Sequence, residues 1–309
     1  MTVAVARRRS VAARPGDGMS RRWVAAARDV VAVAKPGMIA ANDLTAAAGC
    51  LLASRGHVGA GVLAATLGGA SLIMGFACVA NNYLDRRIDG AMARTRGRPF
   101  VRGTLPAPAT LVAYGAGAGA GVLVLASFAN LLTAAIGGLA LVFYVVLYAV
   151  AKRRSSWATL VGAVPGAAPA IAGYCAVKGR IDGPALLLFA ALVLWQIPHF
   201  YAIAVYRSDE YRAARLPTML QARGMRSTRA QMVLCMGGLV GAVAALTVVG
   251  AVGVVSLGIA GIAGLGWLAV GLRGFAAPDA AAWARRVFRV SVVVLAALSV
   301  SVALGGVLP

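Results

Sequence analysis

Apolar residues run along this chain in nine stretches of membrane-crossing length, near residues 36–54, 58–82, 107–127, 129–151, 157–177, 184–206, 230–249, 251–272 and 287–307. Charged residues or Gly and Pro bound each stretch, and a bilayer core takes about 20 apolar residues per helix. The stretches are built of Ala, Val, Leu and Gly without alternating polar positions. They therefore predict helices and not the strands of a transmembrane barrel. The expected fold class is all-α and integral to the membrane, a bundle of nine transmembrane helices formed by residues 35–309. Residues 1–34 have no apolar run of their own and read as a basic, disordered cytoplasmic tail that skims the membrane surface.

The basic residues test this partition, because cytoplasmic loops retain Lys and Arg. With the N-terminus cytoplasmic, 27 of the 30 Lys and Arg residues fall on the inner side, leaving only Arg55, Lys178 and Arg180 outside. The C-terminus is then expected outside. Of the 309 residues 61% are hydrophobic and 13% charged, which leaves no room for a sizeable soluble domain. The net charge of +21 thus follows from loop retention, and no nucleic-acid partner is expected. Arg8-Arg9 resembles an export signal, but Arg14-Pro15 interrupts where its apolar core should continue. An Arg-rich, acid-poor tail also fits an organellar transit peptide. The short loops favour a bacterial plasma (inner) membrane, with the functional end toward the cytoplasm. Cys50, Cys78, Cys175 and Cys235 stand one to a span without C-x-x-C spacing, as expected of buried thiols.

With only nine acidic residues in the chain, their placement is informative. Asn81, Asp85 and Asp89 follow one another at steps of four, which drift only about 40° per step on a helix and so form one stripe roughly 12 Å long. Carboxylate and amide oxygens are the ligands Mg²⁺ accepts, usually in company with substrate phosphates. The simpler alternative pairs the two aspartates with Arg86 and Arg87 at a helix end. Polar groups stepping into a membrane helix are costly, however, and mark function. Arg94, Arg96, Arg98 and Arg102 follow directly, a guanidinium cluster suited to diphosphate oxygens. A second acidic stretch, Asp209-Glu210, lies about 120 residues on, at the inner end of the sixth span.

That sixth span carries Gln196 and His199 in an otherwise apolar helix, with Pro198 freeing backbone groups beside them. Such groups are expensive unless they face a cavity or a partner. His199 is either a packed, satisfied core histidine or a substrate contact. Tyr144 and Tyr148 either pack on each other or line a pocket. Asp43 sits inside the first span, facing a cavity or a neighbouring helix, and His57 in an outer loop has no expected role.

The N-x-x-x-D-x-x-x-D stripe and Arg94-Thr95-Arg96-Gly97-Arg98-Pro99 occur together with Lys35-Pro36-Gly37, Asn42 and Trp195-Gln196-Ile197-Pro198-His199-Phe200-Tyr201-Ala202-Ile203-Ala204. Together they resemble the UbiA superfamily of intramembrane prenyltransferases, and the W-Q-x-P-H segment its haem-farnesylating branch. The likeness runs from about residue 31 to residue 300. It implies a nine-helix bundle with a central cavity open to the bilayer, where Mg²⁺ and acidic residues hold a prenyl diphosphate. Asn81, Asp85 and Asp89 are then the implied metal-binding and catalytic residues, together with Glu210. Asn42, Arg94, Arg98, Lys152, Arg153, His199, Tyr201 and Arg207 are implied to bind substrate, with His199 meeting haem through its propionates, a hydrogen bond or the iron. Here Asn82 and Tyr206 stand where many relatives carry aspartates, so metal binding at the second motif falls to Glu210 alone. Ala158 stands where relatives often have Asn or Gly.

The activity so implied is transfer of farnesyl from farnesyl diphosphate to a vinyl group of haem B, with haem A synthase or terminal oxidase assembly factors as expected partners. The same transfer to a quinone-precursor ring or a chlorophyllide is the alternative, favoured by full aspartates at the second motif, which are absent. A transporter calls for charges at the bilayer midplane, whereas these acids lie at helix ends.

Overall fold

The computed structural model describes residues 17–305. Its first helix, α1 (Asp17–Val33), falls within the segment expected to be disordered; residues 1–16 lie outside the described residues. Nothing in this stretch breaks a helix, and its C-terminal half is tied to the bundle. Asp29 accepts from Arg102 (2.7 Å) and Thr104 (2.5 Å), Tyr114 donates to the Val30 carbonyl (2.8 Å) and Asn82 donates to that of Val33 (2.7 Å). Trp23, Val24 and Val31 remain exposed, as suits a helix lying in a membrane interface.

Lys35, in the left-handed region at φ 56°, turns the chain into α2 (Pro36–Ser54), where Pro36 begins the helix and has no N–H to leave unpaired. The chain continues through α3 (Ala60–Leu84), the short α4 (Arg86–Gly90) and α5 (Pro99–Arg102), and α6 (Ala107–Phe128). The next span is composite: α7 (Leu131–Val142), a π-helical turn Phe143–Tyr148, and α8 (Ala149–Arg154). Then come α9 (Ala158–Lys178), α10 (Gly183–Tyr206), α11 (Ser208–Ala213), α12 (Met219–Val248), α13 (Val254–Leu272) with a 3₁₀ turn Arg273–Ala276, and α14 (Ala280–Gly305). Among the described residues nine helices are long and apolar enough to cross a membrane. Two of them begin earlier than the apolar runs. Arg223, Arg226 and Arg229 keep the hydrophobic pattern out of the first turns of α12, and Arg285 and Arg286 out of those of α14, yet arginine and alanine keep good helix propensity. A kink at Gly224 (φ 76°) bends α12 near its start.

Lipid offers no hydrophobic drive between helices, so packing rests on close approach and on shared hydrogen bonds. The backbones of α2 and α9 touch where Gly49 faces Ala170 and Gly173 faces Ala46; a methyl group at either glycine would run into a carbonyl oxygen of the other helix. Gly69 and Gly121 do the same for α3 against α6. In the other half, three indole N–H groups donate to helix carbonyls: Trp195 to Ser291 (2.8 Å), Trp267 to Val287 (3.0 Å) and Trp283 to Val270 (2.9 Å). Each indole is thereby satisfied without water and pins α14 to α10 or α13. The four cysteines are free, three of them buried.

Gly173→Leu should separate α2 from α9 and destabilise the fold by at least about 1–3 kcal/mol, the cost of overpacking a close contact. Thermal unfolding in detergent reads this directly. Gly61→Ala, where a methyl group meets nothing, should leave the midpoint unchanged.

Candidate active site

One cavity of about 740 Å³ runs up the bundle interior. Its charged pole is built at helix ends: Lys35 before α2, Asn81 and Asp89 where α3 passes into α4, Arg94 and Arg98 in the following loop, Lys152 on α8 and Arg207 closing α10. Asn42 lines the wall two turns along α2. Ile73, Met74, Leu125, Leu141 and Tyr144 form an apolar body, and Trp195, His199, Phe200, Phe288 and Val292 line the wall between α10 and α14.

The acidic stripe keeps its helical register although α3 breaks at Asp85 (φ −87°, ψ 1°), because Asp85 N–H donates to the Asn81 carbonyl (2.9 Å) and Asp89 N–H to that of Asp85 (2.8 Å). The two aspartates differ in what they face. Asp85 is fully buried behind the cavity wall, one oxygen bound by Lys152 Nζ at 2.6 Å and the other by Arg153 Nη2 at 3.0 Å. A carboxylate so placed is held by its cations, and removing them leaves its buried charge uncompensated. Asp89 lines the cavity; Arg98 takes its Oδ2 at 2.5 Å, and no described group engages Oδ1. Thr95 donates to the Asp89 carbonyl (2.9 Å) and so folds the arginine loop back over the stripe. The Asn81 amide nitrogen is buried without a partner.

Glu210 pairs with Arg207 (2.7 Å) beside the cavity wall, and its Oε2 is buried without a partner. Among the described residues no three Asp, Glu, His or Cys side chains gather into a metal cage. The donors present nevertheless fit a cation that takes one or two carboxylates and an amide from the protein and its other oxygens from a phosphate-bearing substrate. Asp89 and Asn81 stand at the cavity for this, while Asp85 is committed to Lys152 and Arg153.

Of the residues singled out from sequence, Asn42, Asn81, Asp89, Arg94, Arg98, Lys152, His199, Tyr201 and Arg207 meet around the one cavity; Asp85, Arg153 and Glu210 stand behind them. Tyr144 and Tyr148 do both things envisaged for them, stacking at 5.3 Å between centroids and lining the cavity, with Gly162 leaving room for the Tyr148 ring. Gln196 is satisfied by the Ala163 (3.2 Å) and Leu192 (3.1 Å) carbonyls, and Tyr201 donates to Gln231 (3.1 Å). Asp43 accepts from Ser71 (2.7 Å) between α2 and α3, away from the cavity.

Two residues on the cavity or next to it have no role expected from the sequence. Lys35 lines the charged pole with no acidic partner within bonding distance among the described residues; burial, with Arg98 and Lys152 nearby, pushes its ammonium down to about 8. Its only sequence signal is the Lys-Pro-Gly triplet. Ser291 is one of three serines in α14, with nothing in the sequence to set it apart, yet it holds His199 Nδ1 at 2.7 Å.

The profile of the UbiA prenyltransferase family matches residues 44–293. A protoheme IX farnesyltransferase of Chromohalobacter salexigens is 42% identical over 271 residues, covering 87% of this chain and 92% of its own. Protoheme IX farnesyltransferase 2 of Pseudomonas aeruginosa PAO1 is 43% identical over 275 residues, covering 87% and 91%. Among solved structures, a digeranylgeranylglyceryl phosphate synthase superposes with a TM-score of 0.77 at 13% identity, over 91% of this chain and 99% of that one. A UbiA homolog from Archaeoglobus fulgidus bound to DMAPP and Mg²⁺ does so at 0.64 and 10% identity, over 89% and 99%. These likenesses concern the fold, whereas the family profile and the sequence relatives cover most of the chain, and on them the chain belongs to the UbiA prenyltransferase family.

Proposed function

We propose that this chain transfers the farnesyl group of farnesyl diphosphate to a vinyl group of haem B, making haem O. The observation that carries this reading is one cavity that joins a cation-rich pole to an apolar body and to an aromatic wall bearing a histidine. Its relatives at 37–43% identity bear the name of that activity.

The allylic C1–O bond breaks with its electron pair leaving on diphosphate, and Lys35, Arg94, Arg98 and Lys152 are placed to stabilise the charge that develops there. Mg²⁺, when held by Asp89, Asn81 and the diphosphate, supplies further Lewis-acid neutralisation of the leaving group. The vinyl group attacks C1, and the carbon–carbon bond leaves a cation on the carbon next to the macrocycle. Water adds there and loses a proton, so haem B, farnesyl diphosphate and water give haem O and diphosphate. The apolar body lined by Ile73, Met74, Leu125 and Leu141 holds the isoprenoid chain and keeps water from the first cation.

We place the protein in a bacterial plasma membrane with its N-terminus and charged pole toward the cytoplasm, on the asymmetry of Lys and Arg between the two sides. A farnesylated haem is too apolar to cross water freely, which favours hand-over within the bilayer to haem A synthase or to terminal oxidase assembly factors. The deciding experiment incubates the purified protein with farnesyl diphosphate, Mg²⁺, haem B and a quinone-precursor aromatic ring as competing acceptor, and reads the product masses. Haem O is the expected product; an unmodified haem beside a prenylated aromatic acceptor would overturn the reading.

The two aspartates should separate. Asp89→Asn should lower turnover about 100-fold or more with a smaller drop in thermal midpoint than Asp85→Asn, since it loses one ion pair and not two. Asp85→Asn should lower turnover and also destabilise the protein by about 1.5–3 kcal/mol, because the charged hydrogen bonds that tie the end of α3 to Lys152 and Arg153 are lost. Turnover and thermal unfolding of both variants at matched protein levels check this.

Lys35 gives a pH signature. Below about 8 it is charged and binds diphosphate; as pH rises through that value it loses its proton, so affinity for farnesyl diphosphate should fall. Lys35→Arg keeps its charge across this range and should flatten the decline. Labelled farnesyl diphosphate binding between pH 6.5 and 9.5, values on the order of the shift just described, measures both.

A further inference from the structure

Ser291 is fully buried on α14, and its hydroxyl makes two contacts. Its Oγ lies 2.6 Å from the Phe288 carbonyl and 2.7 Å from His199 Nδ1. A carbonyl only accepts, so the single hydroxyl proton goes to Phe288, and the oxygen meets Nδ1 with a lone pair. Nδ1 must therefore carry the imidazole proton, which leaves Nε2 with its lone pair unprotonated. Nε2 has no hydrogen-bond partner among the described residues and is not sealed off, and His199 lines the cavity.

The ring is held in this pose from several sides. One turn before His199, Trp195 donates to the backbone carbonyl of the same Ser291 (2.8 Å), so two residues of α10 grip one residue of α14. The Trp195 ring stacks on the imidazole at 4.8 Å between centroids, and Phe288 leans on it at 4.9 Å. A histidine kept neutral, fixed in azimuth and anchored through Nδ1–H while Nε2 faces open space has the arrangement of a metal-ligating imidazole, in which an outer partner orients the ring and raises its basicity.

We propose that His199 Nε2 is the axial ligand to the iron of the haem substrate, held in the ligating tautomer by Ser291. This deepens the haem B reading above and rests on it. The bond is the donation of the Nε2 lone pair to a vacant axial position; no proton or electron moves and iron keeps its oxidation state. A macrocycle bound there stands perpendicular to the imidazole. Phe200, on the cavity wall, lies edge-on to the imidazole at 79° and adds aromatic surface beside it. His199 is two turns, about 12 Å, deeper along α10 than Arg207. Iron held at that depth leaves the edge of the macrocycle to reach toward the charged pole where the diphosphate leaves.

Haem B titrated into the purified full chain in detergent tests this by visible absorption and by resonance Raman of the ferrous form. The wild-type complex should show a histidine-bound spectrum and an iron–histidine stretch. His199→Ala should lose both and bind haem at least about tenfold more weakly, while still binding labelled farnesyl diphosphate; added imidazole should restore the spectrum. Ser291→Ala should keep the ligand but shift the stretch, because Nδ1–H loses its acceptor, and Ser291→Thr should shift it back. The Ser291 pair decides the matter by itself if His199→Ala does not fold. Haem bound to wild type with a spectrum unchanged by His199→Ala, or a stretch indifferent to Ser291→Ala, would overturn the ligation and leave the haem reading standing. A wild-type chain that binds no haem would overturn both.

Discussion

A carboxylate shut away from solvent must be neutralised where it stands, and the charged end of this bundle is organised around that requirement at Asp85. The residue that terminates α3 sits between two cations of α8, so the end of one membrane span is joined to the end of another by ion pairs whose anion is fully buried. Lys152 thereby acquires a fixed position at the cavity wall, the chain can turn at Asp85 into α4, and Asp89 is delivered one turn later facing inward. Arg98 closes on Asp89 and Thr95 on its backbone, which carries the arginine loop over the same spot. The cluster is thus built outward from one buried anion, with an excess of positive charge left to face whatever enters.

The opposite wall is organised by a different economy. Where α10 meets α14, Trp195, His199 and Ser291 pair with each other or with helix carbonyls, and at Trp195, Trp267 and Trp283 a carbonyl that already holds one hydrogen bond accepts a second from an indole. The rest is aromatic surface. One end of the cavity is thus lined by cations and the other by aromatic rings.

Much of the fold was legible in the sequence because a bilayer imposes a length on every apolar run. The starts of α12 and α14 were not, since arginine ends a hydrophobic run without ending a helix. α1 escaped for a related reason: its helix needs contacts from Asp29, Val30 and Val33 to residues 49 or more positions away. The stripe from Asn81 to Asp89 was readable as a local pattern. That Asp85 is already occupied was not, because its partner Lys152 lies 67 residues on. His199 stood out as a polar residue in an apolar span, whereas Ser291, 92 residues later, has no local signature; only the fold brings the two together.

The π-helical turn Phe143–Tyr148 gives the charged end one further property. A π turn holds a residue more than an α turn, and each residue on a helix advances the azimuth by about 100°. Everything that follows Tyr148 on that span, Lys152 and Arg153 included, therefore points where it does because of the surplus residue. In a regular α-helix of the same sequence those cations would lie on another side of the span, at nearly the same height in the membrane and out of line with Asp85. The pairing is set by phase around the helix axis more than by depth: a single-residue deletion within the turn would leave a regular α-helix that still aims Lys152 and Arg153 at Asp85, whereas straightening the turn at full length would swing both cations about 100° round the axis.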